Sequence, residues 1–596
     1  MIENKIIDYL SLVIEDKYNL NLKDKIKLEK PPKPELWDFS FPCFVLSKDL
    51  KKNPNIIAEE ISSLIEKNEF IEKVIFDWPY INIKISTSSL EGDKINFINS
   101  KIKDFYEGNN KDLKEKNKSK TIYIDYIWAN VWKPLHIWHM CTPNQWQVII
   151  NTYKRLWYDV ISDSHIGDWG IIFGKLITAY KLWWDENKLK ENAVEHLFEL
   201  YVKVTKESES SHKLEDDFRN TFKELSSWDK NSIKLWESFT KESIKSIQTQ
   251  LNRLNIKSDF NIWESFYEWL NLPKIEKYPD LKYDMKTVVE ELIKKWIATR
   301  NNDNSVWVEF NRNLKIPSCV LQKRDWTHGY LASDLASIKY RVDNWNLEEI
   351  IYFVDVRQQL HLKQAFIIAE HAWWLDKWKD KVKLVHAHNW FISLKDWAMS
   401  TRKWKIIKLD KLLDEASERA KKIILEKRTD IKWKELEELS EIIWIWAIKY
   451  GYLKKSRETD VIFDWDEFMT FEWNSWPYIQ YAYVRANKIL KDSLNIEQLE
   501  ALDSKIKLKD ESLLLFKKLL DYNKALIDTS EKYMPHVLCR YLYELTKTFN
   551  SFYNNISILN EENYNLKNLN LSLTKKFCEV LKEWFDILWI KMPEKM

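Results

Sequence analysis

Glycine is almost missing from this chain, with 7 residues in 596, where ordinary usage would supply about 40. Glycine is the residue that accepts positive φ without steric cost. So few of them cannot serve the tight turns and helix ends of a chain this long. Cysteine is also scarce, five scattered residues without a CxxC pair, which argues against a disulfide framework and a thiolate metal site; no metal ligand set is expected. No stretch approaches the ~18 uninterrupted apolar residues of a membrane span. Neither sign of charge dominates: 93 Lys+Arg face 91 Asp+Glu, a net +2. That balance neither requires nor forbids a polyanionic partner, because a basic face can be offset by an acidic one. The opening MIENKIIDYLSLVIEDKYNL has the pattern of an amphipathic helix. It lacks the basic start and small-residue cleavage site of a signal peptide, so a cytoplasmic protein is expected. With 45% apolar and 31% charged residues the chain has ample core and is not a disordered one, and its length implies several domains.

Tryptophan is what the chain has in excess, 32 residues. It follows Asp or Asn at Asp77-Trp78, Asp325-Trp326, Asn344-Trp345, Asn389-Trp390 and Asp396-Trp397. Asp-Gly and Asn-Gly are the commonest tight-turn signals, whereas Asp-Trp and Asn-Trp have no such role. Stacking surfaces would put indoles on strand faces or helix stripes, not selectively in turns. Two readings follow. Either the protein is truly Trp-rich, or its gene uses UGA for glycine and has been read with UGA as tryptophan. The second predicts TGA codons at the turn positions and TGG at a minority.

Residues 1–115 mix helices with a short strand pattern, VIFDWPYINIKI, and end in a polar, charged linker. TIYIDYIWANVWKPLHIWHM then runs from a β-branched apolar stretch through a loop into a helix-like segment. That strand–loop–helix order is the opening unit of nucleotide-binding α/β folds. YDVISDSHIGDWGIIFGKL repeats it, with a strand expected at Asp159–Ser162 and three of the seven glycines. Charged helical periodicity over about 185–300 suggests an insertion. Strand-like runs return at PSCVLQKRD, EEIIYFVDV and KLVHAHNWFI, alternating with helices as in a parallel sheet. From about 411 to 596 the chain has almost wholly helical patterning.

Two short motifs carry chemistry. Pro134-Leu135-His136-Ile137-Trp138-His139, with glycine at 138, becomes PLHIGH. Imidazoles spaced i, i+3 at the start of a helix point the same way and can meet phosphate oxygens beside the helix N-terminus. A backbone without a side chain at 138 would let a nucleotide lie against it. Ala398-Met399-Ser400-Thr401-Arg402-Lys403-Trp404 becomes AMSTRKG, a basic loop suited to a leaving pyrophosphate. The pair, in this order, resembles the HIGH and KMSKS signatures of class I aminoacyl-tRNA synthetases. DYIWANVWKPLHIWH, HIGDWGIIFG, DWTHGYLASDLA, VDVRQQLHLKQ, FDWDEFMTFEWNSWPYIQYAYVR and the end DILWIKMPEKM resemble arginyl-tRNA synthetases across nearly the whole chain. The family usually has glycine where this chain has Trp37, Trp78, Trp138, Trp184, Trp263, Trp326, Trp397, Trp404, Trp444, Trp446, Trp473, Trp476, Trp584 and Trp589. It usually has tryptophan at Trp169, Trp183 and Trp465.

The resemblance implies an α/β plus all-α protein. A small α+β N-terminal domain (1–115) would precede a Rossmann-type catalytic domain (116–410, with the insertion) and a helical-bundle, anticodon-binding domain (411–596). It implies an arginine–tRNA ligase using ATP with Mg²⁺, with L-arginine and tRNA(Arg) as partners, no membrane, and a monomeric state. His136, His139, Lys133, Arg402 and Lys403 match the catalytic positions, and Trp138, Met399, Ser400 and Thr401 the ATP-binding ones. Because Ala398 stands where the loop's first lysine is usual, Lys133 would take over part of the phosphate binding. Asp125 and Asn130 match the residues for the amino acid's ammonium and carboxylate end. Tyr330 and Asp334, i and i+4, match the guanidinium-binding pair, with Gln358 as a further polar contact. Tyr80 and Asn82 match a tRNA-contacting segment, and Tyr478, Gln480, Tyr481 and Arg485 are anticodon-side candidates by composition alone. If the tryptophans at signature positions are real, the alternatives are a non-catalytic tRNA-binding relative or an unrelated Trp-rich ligand-binding protein.

Overall fold

The computed structural model describes residues 2–29, 31, 37–68, 70–85, 111–126, 129–268, 278–376, 381–390, 392–394, 408–427, 430–469, 475–493 and 509–588. The chain divides into two compact units, one of 1–110, 492–513 and 556–573, the other of 111–491, 514–555 and 574–596. The helical region from 411 therefore does not stand alone; most of it belongs to the unit that holds the parallel sheet.

In the first unit, α1 (Ile2–Tyr18) buries Ile6, Leu10 and Ile14, the i, i+4, i+8 stripe of an amphipathic helix. Helix α2 (Pro54–Leu64) starts at Asn53, whose side chain accepts the Asn55 N–H, with proline in its first turn. Strands β1 (Phe39–Pro42), β2 (Ile71–Asp77) and β3 (Tyr80–Ile85) form an antiparallel sheet in the order β1-β3-β2. Phe41, Ile81 and Ile83 meet the helices in one core.

The second unit is built on four parallel strands in the order β10-β9-β4-β5: β4 (Thr121–Tyr126), β5 (Asp159–Ser164), β9 (Leu347–Tyr352) and β10 (Lys383–His386). Five of the six residues of β4 are buried, as expected for a strand covered on both faces. Helix α3 (Trp138–Arg155) follows β4, and α4 (Ile171–Trp183) follows β5. The insertion forms α5 (Glu186–Ser208), α6 (His212–Ser226) and α7 (Lys230–Arg253). Then come α8 (Met285–Lys294), a small antiparallel sheet of β6 (Thr299–Arg300), β7 (Val306–Val308) and β8 (Cys319–Gln322), α9 (Tyr330–Asn344) and α10 (Gln359–His371). The run PSCVLQKRD, expected in the parallel sheet, is β8 of this antiparallel one, because it follows β7 closely enough to fold back on it without a crossover helix. Strand β11 (Ile392–Leu394) pairs in parallel with β12 (Val461–Phe463). The remaining long helices are α11 (Leu409–Lys427), α12 (Trp433–Leu453), α13 (Trp476–Asp492), α14 (Asp510–Leu520), α15 (Tyr522–Lys532), α16 (Pro535–Asn555) and α17 (Tyr564–Leu588). Helix α3 is held to the bundle by Asn151, which donates to the Ile587 carbonyl at 2.7 Å, and by the Arg155–Glu583 ion pair at 2.8 Å. No described helix is long and apolar enough to cross a membrane.

The tryptophans fall into distinct environments. Trp169, Trp183 and Trp465, where the resemblance implies tryptophan, each meet a neighbouring ring or cation. Trp169 lies edge-on to Phe222 and Trp236, the Lys203 ammonium sits 4.1 Å above Trp183, and Trp465 packs on Phe463. Others occupy backbone that side chains avoid. Trp157, Trp228, Trp296 and Trp373, with φ of 58–64°, each stand one residue past the C-cap of α3, α6, α8 and α10. At α8 the Trp296 N–H donates to the Ile293 carbonyl and the Ile297 N–H to the Leu292 carbonyl, both at 3.0 Å. The same pair of bonds closes the other three helices, which is the glycine-terminated Schellman motif. Trp326 (φ 70°) lies in the turn after β8. Trp444, Trp476 and Trp584 are buried with indole N–H groups that have no acceptor, a cost of about 1–3 kcal/mol each.

Left-handed backbone costs a side-chain-bearing residue about 1–2 kcal/mol. Trp296 is 94% exposed and Trp373 74%, so their rings contribute little packing. Trp296→Gly and Trp373→Gly are each expected to stabilise the protein by about 1 kcal/mol, measured as a higher urea midpoint.

Candidate active site

Strand β4 is flanked by β5 on one side and β9 on the other, so the chain winds away from it in both directions. The crevice outside the carboxyl ends of β4 and β9 is where an open α/β sheet binds ligands. The expected residues gather there from four segments. After β4, the Val131 N–H donates to the Gly167 carbonyl and the Gly167 N–H to the Ala129 carbonyl, at 3.2 and 2.8 Å. A Cβ on Gly167 would come within 2.8 Å of Asn130 Oδ1, so glycine is needed for this loop to lie as it does.

His136 and His139 flank the first residue of α3. The His136 N–H donates to His139 Nδ1 at 3.1 Å, and the ring centroids are 4.0 Å apart. Burial, helped by Lys133 and Arg357, pushes His136 down to about 4. Burial and the neighbouring His136 ring push His139 well below its usual value. Both rings are therefore neutral hydrogen-bonding groups at physiological pH. Burial lowers Lys133, whose ammonium lies 4.7 Å above the Trp132 ring. Residues 398–404, and so Met399, Ser400, Thr401, Arg402 and Lys403, lie outside the described residues, as does the side chain of Trp138. The chain beyond that loop is stitched to the histidine turn: His136 bridges Lys408, and the Leu409 N–H donates to the Leu135 carbonyl at 2.8 Å.

On α9, Tyr330 and Asp334 lie one turn apart on the same helical face. Gly170, at φ 106°, lies against the Tyr330 hydroxyl, a conformation that suits glycine. Asp334 is buried, and His361 Nε2 is 2.5 Å from its Oδ2 while His165 lies 3.9 Å from Oδ1. Burial alone would lower His361, but the bond to Asp334 outweighs it and the imidazole is raised. Gln358 sits at the cap of α10, three residues before His361. Asp355 starts this turn by accepting the Arg357 N–H and binding the Arg357 guanidinium with both oxygens.

Several residues here had no sequence signal. The insertion returns to the sheet along residues 259–267, where the Ile262 N–H donates to Asp163, and Ser265 donates to Asp168 through both its N–H and its hydroxyl. That return carries Glu264 close to Asp168, Asp334 and Tyr330. Burial, then the carboxylates of Asp168 and Asp334, raise Glu264 well above the usual range, and its charge is felt at Tyr330. Asn389, after β10, donates to Thr142 Oγ1 at 2.9 Å and bridges Asp355. Only a recognised strand end could have pointed to it. Asp125 is fully interior, its Oδ2 2.6 Å from the Arg341 guanidinium.

The nucleic-acid candidates separate by burial. In the first unit Tyr80 packs edge-on to Phe44 with centroids 6.1 Å apart. Asn82 is buried and accepts the Ser40 hydroxyl at 2.8 Å, so its side chain is committed to the sheet interior. In the second unit Gln480 is likewise buried, on the inward side of α13. The outer side carries Tyr481 and Arg485: the guanidinium lies 4.0 Å from the Tyr481 ring, donates to its hydroxyl at 2.8 Å, and is 5.3 Å from Tyr553 on α16. Tyr478 meets Tyr543 at 6.0 Å.

A parallel sheet whose first strand leads to paired neutral histidines at a helix N-terminus, followed by a helical region, defines a class I aminoacyl-tRNA synthetase. Residues 102–465 match the family model "tRNA synthetases class I (R), catalytic domain", 2–85 the arginyl-tRNA synthetase N-terminal domain, and 479–596 the DALR anticodon binding domain. The chain belongs to the arginyl-tRNA synthetase family. It is 34% identical to the arginine–tRNA ligase of Clostridium beijerinckii, over 96% of each chain. It is 36% identical to that of Clostridium perfringens, over 99% of this chain and all of the other. The fold matches the arginyl-tRNA synthetase crystal structure from Plasmodium falciparum (TM-score 0.77, 24% identity, 100% of this chain and 99% of that one). It also matches the Thermus thermophilus enzyme (TM-score 0.72, 20% identity, 100% of both).

A histidine-resolved NMR titration is expected to place His136 near 4 instead of about 6.5. The unfolded chain takes up these protons below about 6.5 while the folded one resists them until near 4. Stability is therefore expected to fall as pH drops through that window.

Proposed function

We propose that this chain joins L-arginine to the 3′ end of tRNA(Arg), activating it first with ATP. What most supports arginine as the substrate is the acidic pocket at the carboxyl ends of β4 and β9. Glu264 and Asp334 stand there beside Tyr330, with Glu264 raised by burial and by the carboxylates of Asp168 and Asp334. A fork-shaped cation that stays charged is the natural complement. In this reading Asp334, Tyr330, Glu264 and Gln358 take the guanidinium, and Asp125 and Asn130 the amino-acid end. His136 and His139, uncharged, donate to ATP phosphate oxygens beside the N-terminus of α3. The arginine carboxylate attacks the α-phosphorus, forming the mixed anhydride and releasing pyrophosphate, toward which Lys133, Arg402, Lys403, Ser400 and Thr401 are directed. A ribose hydroxyl of the terminal adenosine then attacks the arginyl carbonyl and AMP leaves. No side chain becomes covalently attached, so catalysis is positioning and charge stabilisation. No described cluster of three His, Cys, Asp or Glu side chains is arranged for a metal ion, and magnesium is assigned to the ATP phosphates. Tyr80, Tyr481, Arg485 and Tyr553 are assigned to unpaired tRNA bases, which stack on aromatic rings and guanidinium planes; Asn82 and Gln480 are assigned to packing.

We further propose that the natural protein carries glycine at the tryptophans of Schellman and turn positions and at the signature positions 138 and 404. Four helix ends closed in left-handed geometry by tryptophan, and indoles without acceptors at Trp263, Trp444, Trp476 and Trp584, where the resemblance implies glycine, support this reading. The codons decide it directly: TGG at all 32 positions would end it.

Protein made with glycine at 138, 404 and the other suspect sites is expected to charge tRNA(Arg) with arginine in the presence of ATP. Protein made with tryptophan there is expected to be inactive. No charging by either form would refute the ligase reading. In the glycine form, Asp334→Asn is expected to raise KM for arginine on the order of 100-fold, the scale of breaking a buried charge pair, with KM for ATP little changed.

A further inference from the structure

Arg341 lies two turns beyond Asp334 on α9 and is completely buried. Its guanidinium is 2.6 Å from Asp125 Oδ2 and 3.1 Å from Asp163 Oδ2, and it donates to the Tyr352 hydroxyl at 3.2 Å. It also lies over the Tyr123 ring at 4.7 Å. One side chain thus touches three adjacent strands, β4 through Tyr123 and Asp125, β5 through Asp163 and β9 through Tyr352. Asp163 is fixed independently, accepting the Tyr123 hydroxyl at 3.0 Å and the Ile262 N–H at 2.9 Å. Two buried carboxylates thus share this single guanidinium. Fork geometry matters here, since a planar guanidinium can serve two carboxylates and a hydroxyl at once, which an ammonium cannot do with the same geometry.

The consequence concerns length. Helix α9 carries the guanidinium end of the proposed pocket, Tyr330 and Asp334, and β4 carries the ammonium end, Asp125. Arg341 is rigidly part of the first and is bonded to the second. We propose that Arg341 is the positioning residue of the amino-acid pocket. It holds Asp125 toward the α-ammonium and locks α9 at one distance from β4, so that the pocket measures the separation between the ammonium and the guanidinium of its substrate. This rests on the arginine reading above. Arg341 itself does not touch the substrate.

The test uses the full-length protein in its arginine-binding form, with arginine, its one-methylene-shorter and one-methylene-longer homologues, and ATP as separate ligands in calorimetry and pyrophosphate exchange. Arg341→Lys keeps the charge and loses the fork. It is expected to raise KM for arginine at least tenfold, to leave KM for ATP within about twofold, and to shrink the preference for arginine over the two homologues. Asp163→Asn removes one carboxylate without reaching the pocket, and is expected to weaken arginine binding with the same neutrality toward ATP. Tyr352→Phe alters no charge and serves should Arg341→Lys fail to fold; it is expected to raise KM for arginine about threefold. The proposal is overturned if the folded variants lose only thermal stability while the affinity and length preference for arginine stay as in the parent. It is overturned also if ATP and arginine affinities fall together. A parent that binds no arginine refutes the substrate reading itself, and the proposal with it.

Discussion

Strand β4 is hydrogen-bonded in parallel on both sides, to β5 and to β9, and the chemistry of the larger unit is set out from its carboxyl end. Because the chain departs from β4 in opposite directions, the connections after β4 and β9 diverge and leave a crevice between them. The histidine turn enters that crevice from β4 and the Asp355–His361 turn enters it from β9. The stretch after residue 407 returns to pair with His136. Each segment is anchored by backbone bonds before any side chain is considered, so the site is carried on rigid elements.

Charge is distributed over this frame in a way that distinguishes the two halves of the crevice. Beside α3 the groups are neutral imidazoles and a lysine lowered by burial, suited to an anionic ligand at a helix N-terminus. Beside α9 they are carboxylates held in the interior, suited to a cation. The insertion contributes to the second half: its return along residues 259–267 caps Asp163 and Asp168 and delivers Glu264. A segment with the composition of a solvated helical appendage thereby brings a third carboxyl near Asp334 and Tyr330.

Much of this was legible in the residues. The i, i+3 histidines and the i, i+4 pair Tyr330 and Asp334 describe local geometry, and local geometry follows from helix periodicity. The strands of the parallel sheet were visible as apolar, β-branched runs, but PSCVLQKRD has the same pattern and lies in the small antiparallel sheet, because pattern alone does not fix which strand pairs with which. Glu264 and Arg341 were not, because one reaches Asp334 from a distant insertion and the other meets Asp125 and Asp163 across 216 and 178 positions of sequence. Asn82 and Gln480 show the opposite failure. Asn82 was singled out by resemblance to a tRNA-contacting segment and Gln480 by composition alone, yet strand alternation and helix phase turn them inward, where Asn82 is bonded to Ser40 and Gln480 is packed in the bundle.

The near absence of glycine and the surplus of tryptophan were properties of the sequence alone, and so was the family resemblance that their placement concealed. Composition and short-range spacing decide such things because they depend on residue type and on contacts within a turn or two. Which tryptophans sit on backbone that only glycine adopts without strain was decided by tertiary structure, since the sign of φ past a helix end depends on how the chain must turn to reach its next packing partner. The same holds for the pocket. Two carboxylates far apart in the chain, Asp125 and Asp163, meet only because a buried guanidinium on α9 reaches both of their strands.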